Sequence, residues 1–288
     1  MTQRTIVITG ASDGIGAAVA RKLADRGDRL LLVGRRRDKI DAVARPLGAD
    51  ALVADFESLA DVRSLAAEIR RRTDRIDVLV NNAGGVFADR VVTADGNERT
   101  MQVNHYAGFL LTNLLIDLLL AGDATVVNTS SVAAHAFAKL DMTDLDASGR
   151  FRSMKVYGDS KLANILFAKG LHTRFHDQGL SAVAVHPGAI ASNFGKETGN
   201  VLVRLLYSTV LSRLLSTSES GADNLVWAVD GTPGETWVSG EYYEGPNRFP
   251  RRPNPQQNDA ALADALWAES ARRTGLDVAR TPVPPVQE

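Results

Sequence analysis

A short apolar run from Thr5 to Thr9 breaks into Gly10-Ala11-Ser12-Asp13-Gly14-Ile15-Gly16 and then into a helical pattern beginning near Ile15. Few folds accept three glycines at that spacing between a strand and a helix. Without Cβ atoms, the backbone N–H groups and the helix N-terminus can come close to a pyrophosphate, and a strand before with a helix after is the context this binding needs. A lone glycine triplet would read as a turn. Here a second strand, ending at Val33, completes a βαβ unit around the motif.

The same alternation continues along the chain. Arg29 to Val33, Ala51 to Ala54, Asp77 to Asn81, Thr125 to Thr129 and Ala182 to His186 read as further strands, with helical patterns in the gaps. Such alternation requires crossover connections, so the expectation is an α/β, Rossmann-like, doubly wound parallel sheet with helices on both faces. At 288 residues, 44% of them hydrophobic, the chain can form one well-filled core, and we read residues 1–288 as a single domain. No internal repeat is evident. Gly245 to Pro255 and Thr281 to Glu288 are proline-rich and read as irregular parts of a C-terminal extension, 245–288. Between them Asn258 to Gly275 reads as a surface helix, with Ala261, Leu262, Leu266, Trp267 and Ala271 on one apolar face.

Charge and cysteine content narrow the function. With 33 basic and 34 acidic residues the net charge is −1, which argues against nucleic acid or anionic lipid and for a small-molecule substrate. The chain has no cysteine, so disulfides, thiolate nucleophiles and cysteine-based zinc sites are excluded. The N-terminus runs into a strand without a charged-then-apolar leader, and the cytoplasm is the expected location. Phe109 to Ala121, the most apolar run, is too short for a bilayer span and carries Thr112, Asn113 and Asp117. It reads as a buried helix. No metal site is expected: His172 and His176 lie four apart but late on a helix, where surface histidines are the simpler reading.

Tyr157 and Lys161 also lie four apart, so on a helix they share one face. An ammonium there lowers the phenol's pKa toward working pH and makes Tyr157 a proton donor. Random placement of five tyrosines and seven lysines in this chain yields such a pair about 0.12 times. The pair therefore counts only in conjunction with the glycine motif, Asn81-Asn82-Ala83-Gly84, Asn104 and Ser131, in that order. On these motifs the chain, from about Thr5 to about Ser192, resembles the short-chain dehydrogenase/reductase family, and Ser130-Ser131-Val132-Ala133-Ala134-His135 with Ser160-Lys161-Leu162-Ala163-Asn164-Ile165-Leu166-Phe167 is similar to its retinol-dehydrogenase-like branch.

The resemblance implies an enzyme that moves hydride between a nicotinamide cofactor and a carbonyl or alcohol. It implies a catalytic set of Asn104, Ser131, Tyr157 and Lys161. Tyr157 would protonate the substrate oxygen, Ser131 would hydrogen-bond it, Lys161 would also hold the nicotinamide ribose, and Asn104, within a long helix, would hold a water linking Lys161 to solvent. Ser130 is left as a packing residue. The implied cofactor residues are Gly10, Ser12, Gly14, Ile15, Gly16, Arg35, Asp55, Phe56, Asn82, Ala83, Gly84, Tyr157, Lys161, Pro187, Gly188, Ile190 and Ser192. Asp55 resembles the family's adenine-contacting acid, but helix capping is the competing reading, with Ser58 a rival for the cap.

The second strand ends in Val33-Gly34-Arg35, where an NAD enzyme would place an acid against the ribose 2′-hydroxyl. A guanidinium there suits the 2′-phosphate of NADP, so NADP(H) is expected over NAD(H). Asp13 counts against this, and a solvated basic helix start before Asp38 is the alternative. Between Ser131 and Tyr157 lie 25 residues, among which Phe137, Leu140, Met142, Leu145, Phe151 and Met154 fit either an apolar pocket or a packed insertion. His135 is a candidate pocket residue. Leu202, Leu206, Val210 and Leu214 make a stripe within 193–218, where the family places its substrate lid; an ordinary buried helix and a membrane-surface contact are the alternatives. The substrate expected is an apolar carbonyl or alcohol, and a homo-oligomer stays open as the assembly. A noncatalytic NADP-sensing regulator on the same fold is the competing reading, and an extended-family epimerase or dehydratase, disfavoured by the glycine spacing, is the third.

Overall fold

The computed structural model describes residues 3–188 and 218–277. The expected lid, 193–218, with Ile190 and Ser192, falls outside them except for Ser218. Strand β1 (Thr5–Thr9) pairs in parallel with β2 (Arg29–Gly34) on one side and β4 (Val78–Asn81) on the other. Outward from β2 lies β3 (Asp50–Val53), and outward from β4 lie β5 (Thr125–Thr129), β6 (Ser181–Val185) and β7 (Tyr242–Tyr243). The order β3-β2-β1-β4-β5-β6-β7 places a topological switch point at β1, where successive crossovers leave in opposite directions. A crevice at the carboxyl ends of the strands follows from that reversal. This is the doubly wound α/β sheet expected, and the six anticipated strands start and end within one residue of their expected bounds. The seventh strand was not anticipated.

Alternating strand residues feed two cores, because successive side chains leave opposite faces of a sheet. Ile6 and Ile8 of β1, Leu30 and Leu32 of β2, and Val183 and Val185 of β6 pack under α1 (Gly14–Ala24), α2 (Arg37–Ala44) and α9 (Ser218–Asp230). Val7, Leu31, Leu79, Val126 and Ala184 face the opposite layer: α3 (Leu59–Arg72), α5 (Ala107–Leu114), α8 (Ser153–Phe175) and α10 (Ala260–Thr274). Shorter helices α4 (Arg99–Met101), α6 (Ile116–Ala121) and α7 (Ala133–Ala136) complete the set described.

Local chemistry sets the helix starts. Ser58 caps α3 by accepting from Asp61 N, and Asp259 caps α10 by accepting from Leu262 N. Asp55 is not the α3 cap; its carboxylate accepts from Glu57 N at 3.0 Å in the turn before it.

One expectation is corrected, and one open choice is decided. The buried face of α10 comprises Ala263, Leu266, Trp267, Ser270, Ala271 and Thr274, while Ala261 is exposed. Asp259 starts the helix so that the inward stripe runs one step out of phase with Ala261. Between Ser131 and Tyr157, Leu140 and Leu145 are core residues and Met142 and Phe151 pack against that core. Those four residues therefore belong to a packed insertion, while Phe137 is 49% exposed. The clamp on the insertion is polar: Asp159 of α8 accepts from Lys139 N at 3.0 Å and from Lys155 Nζ at 2.5 Å.

Trp267 docks α10 on the body. Its ring lies 4.9 Å from that of Phe109 and 5.7 Å from that of Phe167, with the Arg174 guanidinium stacked at 4.3 Å. Trp267→Ala should therefore destabilise the protein by about 3–5 kcal/mol, as large-to-small core changes do. Urea unfolding would measure it; a loss below about 1 kcal/mol would mean that α10 is not part of the core.

Candidate active site

The glycine loop is fastened to the start of the β4–α4 connection by one hydroxyl. Thr9 Oγ1 accepts from Asn82 N at 2.9 Å and Ala83 N at 3.0 Å while donating to Val80 O at 3.1 Å, and Asn82 Nδ2 donates to Thr9 O at 2.9 Å. Gly10 takes φ +67°, and a Cβ there would lie 2.8 Å from Ala83 Cα; a Cβ on Gly16 would lie 2.3 Å from Gly10 O. Both positions thus exclude any side chain, as a loop pressed against a nucleotide requires. Gly14, φ +54°, faces open space instead. Asp13 is committed to capping α1, accepting from Gly14 N at 2.7 Å. Asn82, Ala83 and Gly84 are in this way a structural floor beside Gly10, Ser12, Ile15 and Gly16.

At the end of β2, Arg36 is taken by Asp38 at 2.6 Å. The Arg35 guanidinium, 58% exposed, is paired instead with Glu57, whose Oε1 lies 3.8 Å away. Gly34 lets Ser12 sit against this strand end, since a Cβ on it would lie 2.8 Å from Ser12 Cβ. Phe56 buries its ring in the core, which leaves only its backbone to face a nucleotide. Pro187 and Gly188, φ +94°, leave β6 at the same edge.

Asn104 lies, as expected, within a helical run, Arg99 to Leu114, but in a π-helical turn, Gln102–Tyr106, that joins α4 to α5. There the Ala107 N–H reaches back to Gln102 O, and the widened turn carries Asn104 into the crevice. Its side chain accepts from Gly85 N at 2.8 Å and donates to Gly85 O at 3.0 Å and Ser160 Oγ at 2.9 Å. Ser160 Oγ in turn donates to Tyr157 O at 2.7 Å. The Asn104 amide is thus a clamp between the Gly84-Gly85 loop and α8.

Lys161 Nζ sits 5.5 Å from the Tyr157 ring centre and donates to Thr129 O at 3.2 Å. It is 4% exposed, and burial pushes its pKa down to about 8. Ser130 packs as expected, donating to Lys161 O at 2.8 Å, and Ser131 Oγ accepts from Ala133 N at 3.2 Å. Gly158 lets the segment after Ser131 approach α8: a Cβ there would stand 2.8 Å from Ala133 O. Tyr157 is half-buried. His135 stacks on Tyr242 of β7 at 5.2 Å, with Glu244 3.8 Å from its Nε2. His172 and His176 stack on each other at 4.6 Å, and no group of three metal-ligating side chains occurs among the described residues.

Residues 4–201 match the family model described as short chain dehydrogenase. The chain belongs to the short-chain dehydrogenase family. It is 39% identical to a protein assigned as a daunorubicin C-13 ketoreductase of Streptomyces sp. (strain C5), over 96% of this chain and 94% of that one. Human retinol dehydrogenase 13 is 34% identical over 95% of this chain and 85% of its own. These relatives support the retinol-dehydrogenase-like branch. A crystal structure of an uncharacterised protein from Mycobacterium paratuberculosis aligns with TM-score 0.75 at 32% identity, covering 98% of this chain and 96% of that one. At 24% identity and TM-score 0.64, the Pseudomonas aeruginosa RhlG/NADP complex shares the fold over 84% of this chain and 94% of that one. The chain is accordingly an oxidoreductase of a nicotinamide-using family, and among the described residues no helix is long and apolar enough to cross a membrane.

Thr9, Ser160 and Asn164 were not singled out as site residues. The sequence held a signal for two of them, because Ser160 and Asn164 continue the helical face of Tyr157 and Lys161 at i+3 and i+7.

Gly158→Ala should push the Ser131 segment away from Tyr157 and lower turnover on the order of 10- to 10²-fold, the cost of a displacement of about 1 Å, with cofactor affinity retained. Steady-state kinetics beside a cofactor-fluorescence titration would check it; unchanged turnover would show that α7 can yield without moving the site.

Proposed function

We propose that this chain is an NADP(H)-dependent carbonyl reductase or alcohol dehydrogenase acting on an apolar small molecule. The observation that carries the reading is the convergence of the Asn104, Tyr157 and Lys161 side chains at the carboxyl edge of the sheet, beside a glycine loop that admits no side chain at Gly10 or Gly16.

The nicotinamide supplies the hydride when bound. Gly10, Ser12, Gly14, Ile15 and Gly16 would hold the pyrophosphate side, Asp55 and the Phe56 backbone the adenine, and Asn82, Ala83 and Gly84 the floor. Pro187 and Gly188 would flank the nicotinamide; Ile190 and Ser192, assigned to the cofactor by the resemblance, lie outside the described residues. Tyr157 donates its phenolic proton to the substrate oxygen as the carbonyl becomes an alcohol, and Ser131 hydrogen-bonds the same oxygen. Lys161, protonated below about pH 8, stabilises the phenolate left behind and offers N–H groups to the ribose hydroxyls. In the oxidative direction the phenolate removes the alcohol proton.

Arg35 supports NADP(H), since a guanidinium fork matches a 2′-phosphate and its ion pair with Glu57, at 3.8 Å, is loose. The names of the relatives, a ketoreductase for daunorubicin and retinol dehydrogenases, support a bulky, largely apolar carbonyl or alcohol. With the insertion packed, apolar contact would come from the 193–218 segment, the proposed lid. A noncatalytic regulator is disfavoured because all four catalytic positions are filled, and the location favoured is the cytoplasm.

Tyr157→Phe should lower turnover with a panel of apolar ketones and aldehydes by at least roughly 10²-fold while NADPH still binds. Near-normal turnover would remove Tyr157 from the mechanism. Arg35→Ala should erode the NADPH preference by about 1–3 kcal/mol, the range for a charge-assisted hydrogen bond. Equal kcat/KM with NADH and NADPH in the unaltered protein would refute the cofactor assignment.

A further inference from the structure

Beneath Lys161 runs a buried polar chain that none of the roles above uses. Asn164 Nδ2 donates to Thr129 O at 3.1 Å and to Asn104 O at 3.0 Å, and its Oδ1 lies 3.2 Å from His105 Nδ1. The other imidazole nitrogen, Nε2, lies 2.9 Å from Ser270 Oγ on α10. All four residues joined in this way, His105, Asn164, Asn104 and Ser270, are at least nine-tenths buried.

Hydrogen-bond valence fixes every donor. Flipping the Asn164 amide would set its oxygen against two carbonyl oxygens, so both N–H groups must face Thr129 and Asn104. Asn164 Oδ1 is then an acceptor, and His105 Nδ1 has to carry a proton. Nε2 is left bare and accepts from the Ser270 hydroxyl. Burial keeps the ring neutral, pushing its pKa down to about 4. Tyr106, Phe109 and Phe167 surround it with aromatic faces or edges, and the packing around Ser270 has no room for a water to replace the direct bond.

We propose that His105 and Asn164 are positioning residues for the catalytic lysine: Asn164 fixes the Thr129 carbonyl that Lys161 uses as its hydrogen-bond acceptor, and His105, held in one tautomer by Ser270, fixes Asn164. The inference rests on the proposed reaction for its kinetic effect. It ties the C-terminal helix to the chemistry, since Ser270 reaches Lys161 through two side chains, those of His105 and Asn164, and one carbonyl. It also bears on Ser131, two residues beyond Thr129 on the same strand end.

The test combines kinetics with imidazole ¹⁵N spectra of His105→Ala, His105→Asn and Ser270→Ala. The asparagine variant keeps an N–H where Nδ1 donates, whereas alanine keeps none. His105→Ala should lower kcat about 10-fold with the carbonyl KM within about 2-fold, and His105→Asn should stay within about 3-fold of the parent kcat. An unchanged kcat in His105→Ala, or equal loss in both variants, overturns the proposal. In the parent protein the ¹⁵N signals missing from His105→Asn should show Nδ1 protonated and Nε2 bare at neutral pH; the opposite tautomer overturns it too. That readout needs no turnover, so it still decides the network should the parent protein reduce no carbonyl, a result that would count against the reaction alone. Should His105→Ala fail to fold, Ser270→Ala takes its place, with kcat reduced about 3-fold expected, and an unchanged kcat against the proposal.

Discussion

A lysine ammonium that is 4% exposed must find its hydrogen-bond acceptors in the protein around it, and much of the architecture on this face of the sheet follows from that requirement. Lys161 enters from α8, and its direct acceptor is the carbonyl of Thr129 at the end of β5. That carbonyl is reachable because Ser130 Oγ holds β5 to α8 through Lys161 O at 2.8 Å. The desolvation that lowers the lysine's pKa also strengthens its field at Tyr157, because water no longer screens the short distance between them. A solvated lysine at the same helical spacing would have far less influence on the phenol.

The π turn at Asn104 belongs to the same arrangement. A continuous α-helix would keep its backbone groups in the i→i−4 ladder and carry Asn104 round the cylinder; the inserted residue swings it toward Gly85 and Ser160. Because the amide is fully engaged there, its contribution is to hold the loop after β4 against α8. The loop after β4 and the helix that carries Tyr157 are thereby fixed to each other by one side chain.

The fold was legible because apolar runs of strand length, each followed by a helical pattern, leave little freedom once crossovers must be right-handed. The glycine loop and the Tyr157–Lys161 face were legible for a related reason: the constraint is local and a few residue types satisfy it. β7 was not. Two tyrosines carry no period, and their pairing to Ala184 and Val185 is decided by what lies beside β6 after the chain has returned from far away. The residues between Ser131 and Tyr157 were ambiguous because a pocket wall and a packed loop both call for apolar side chains. Asp159, reaching Lys139 N, draws the insertion onto the body, and a lone acid in a helix says nothing of that partner. The π turn was hidden as well, since its sequence reads as ordinary helix.

α8 shows why a helix that carries catalytic groups need not look amphipathic. Its buried residues run from Val156 to Phe175 on nearly every side, against β5 and β6, the π turn, α7 and α10. A helix packed all round cannot tilt without disturbing several interfaces, so Tyr157 and Lys161 gain their placement from close packing and not from loop geometry. The same packing explains the polar residues on its buried surface. Ser160, Lys161 and Asn164 can be there only because Tyr157 O, Thr129 O and Asn104 O meet them at hydrogen-bond distance. Tyr157 O belongs to α8 itself, while the other two carbonyls come from a strand end and from the π turn, places where backbone groups are not all used by regular structure. The crevice at the sheet edge is therefore both where a cofactor can enter and where a buried polar helix face can be satisfied.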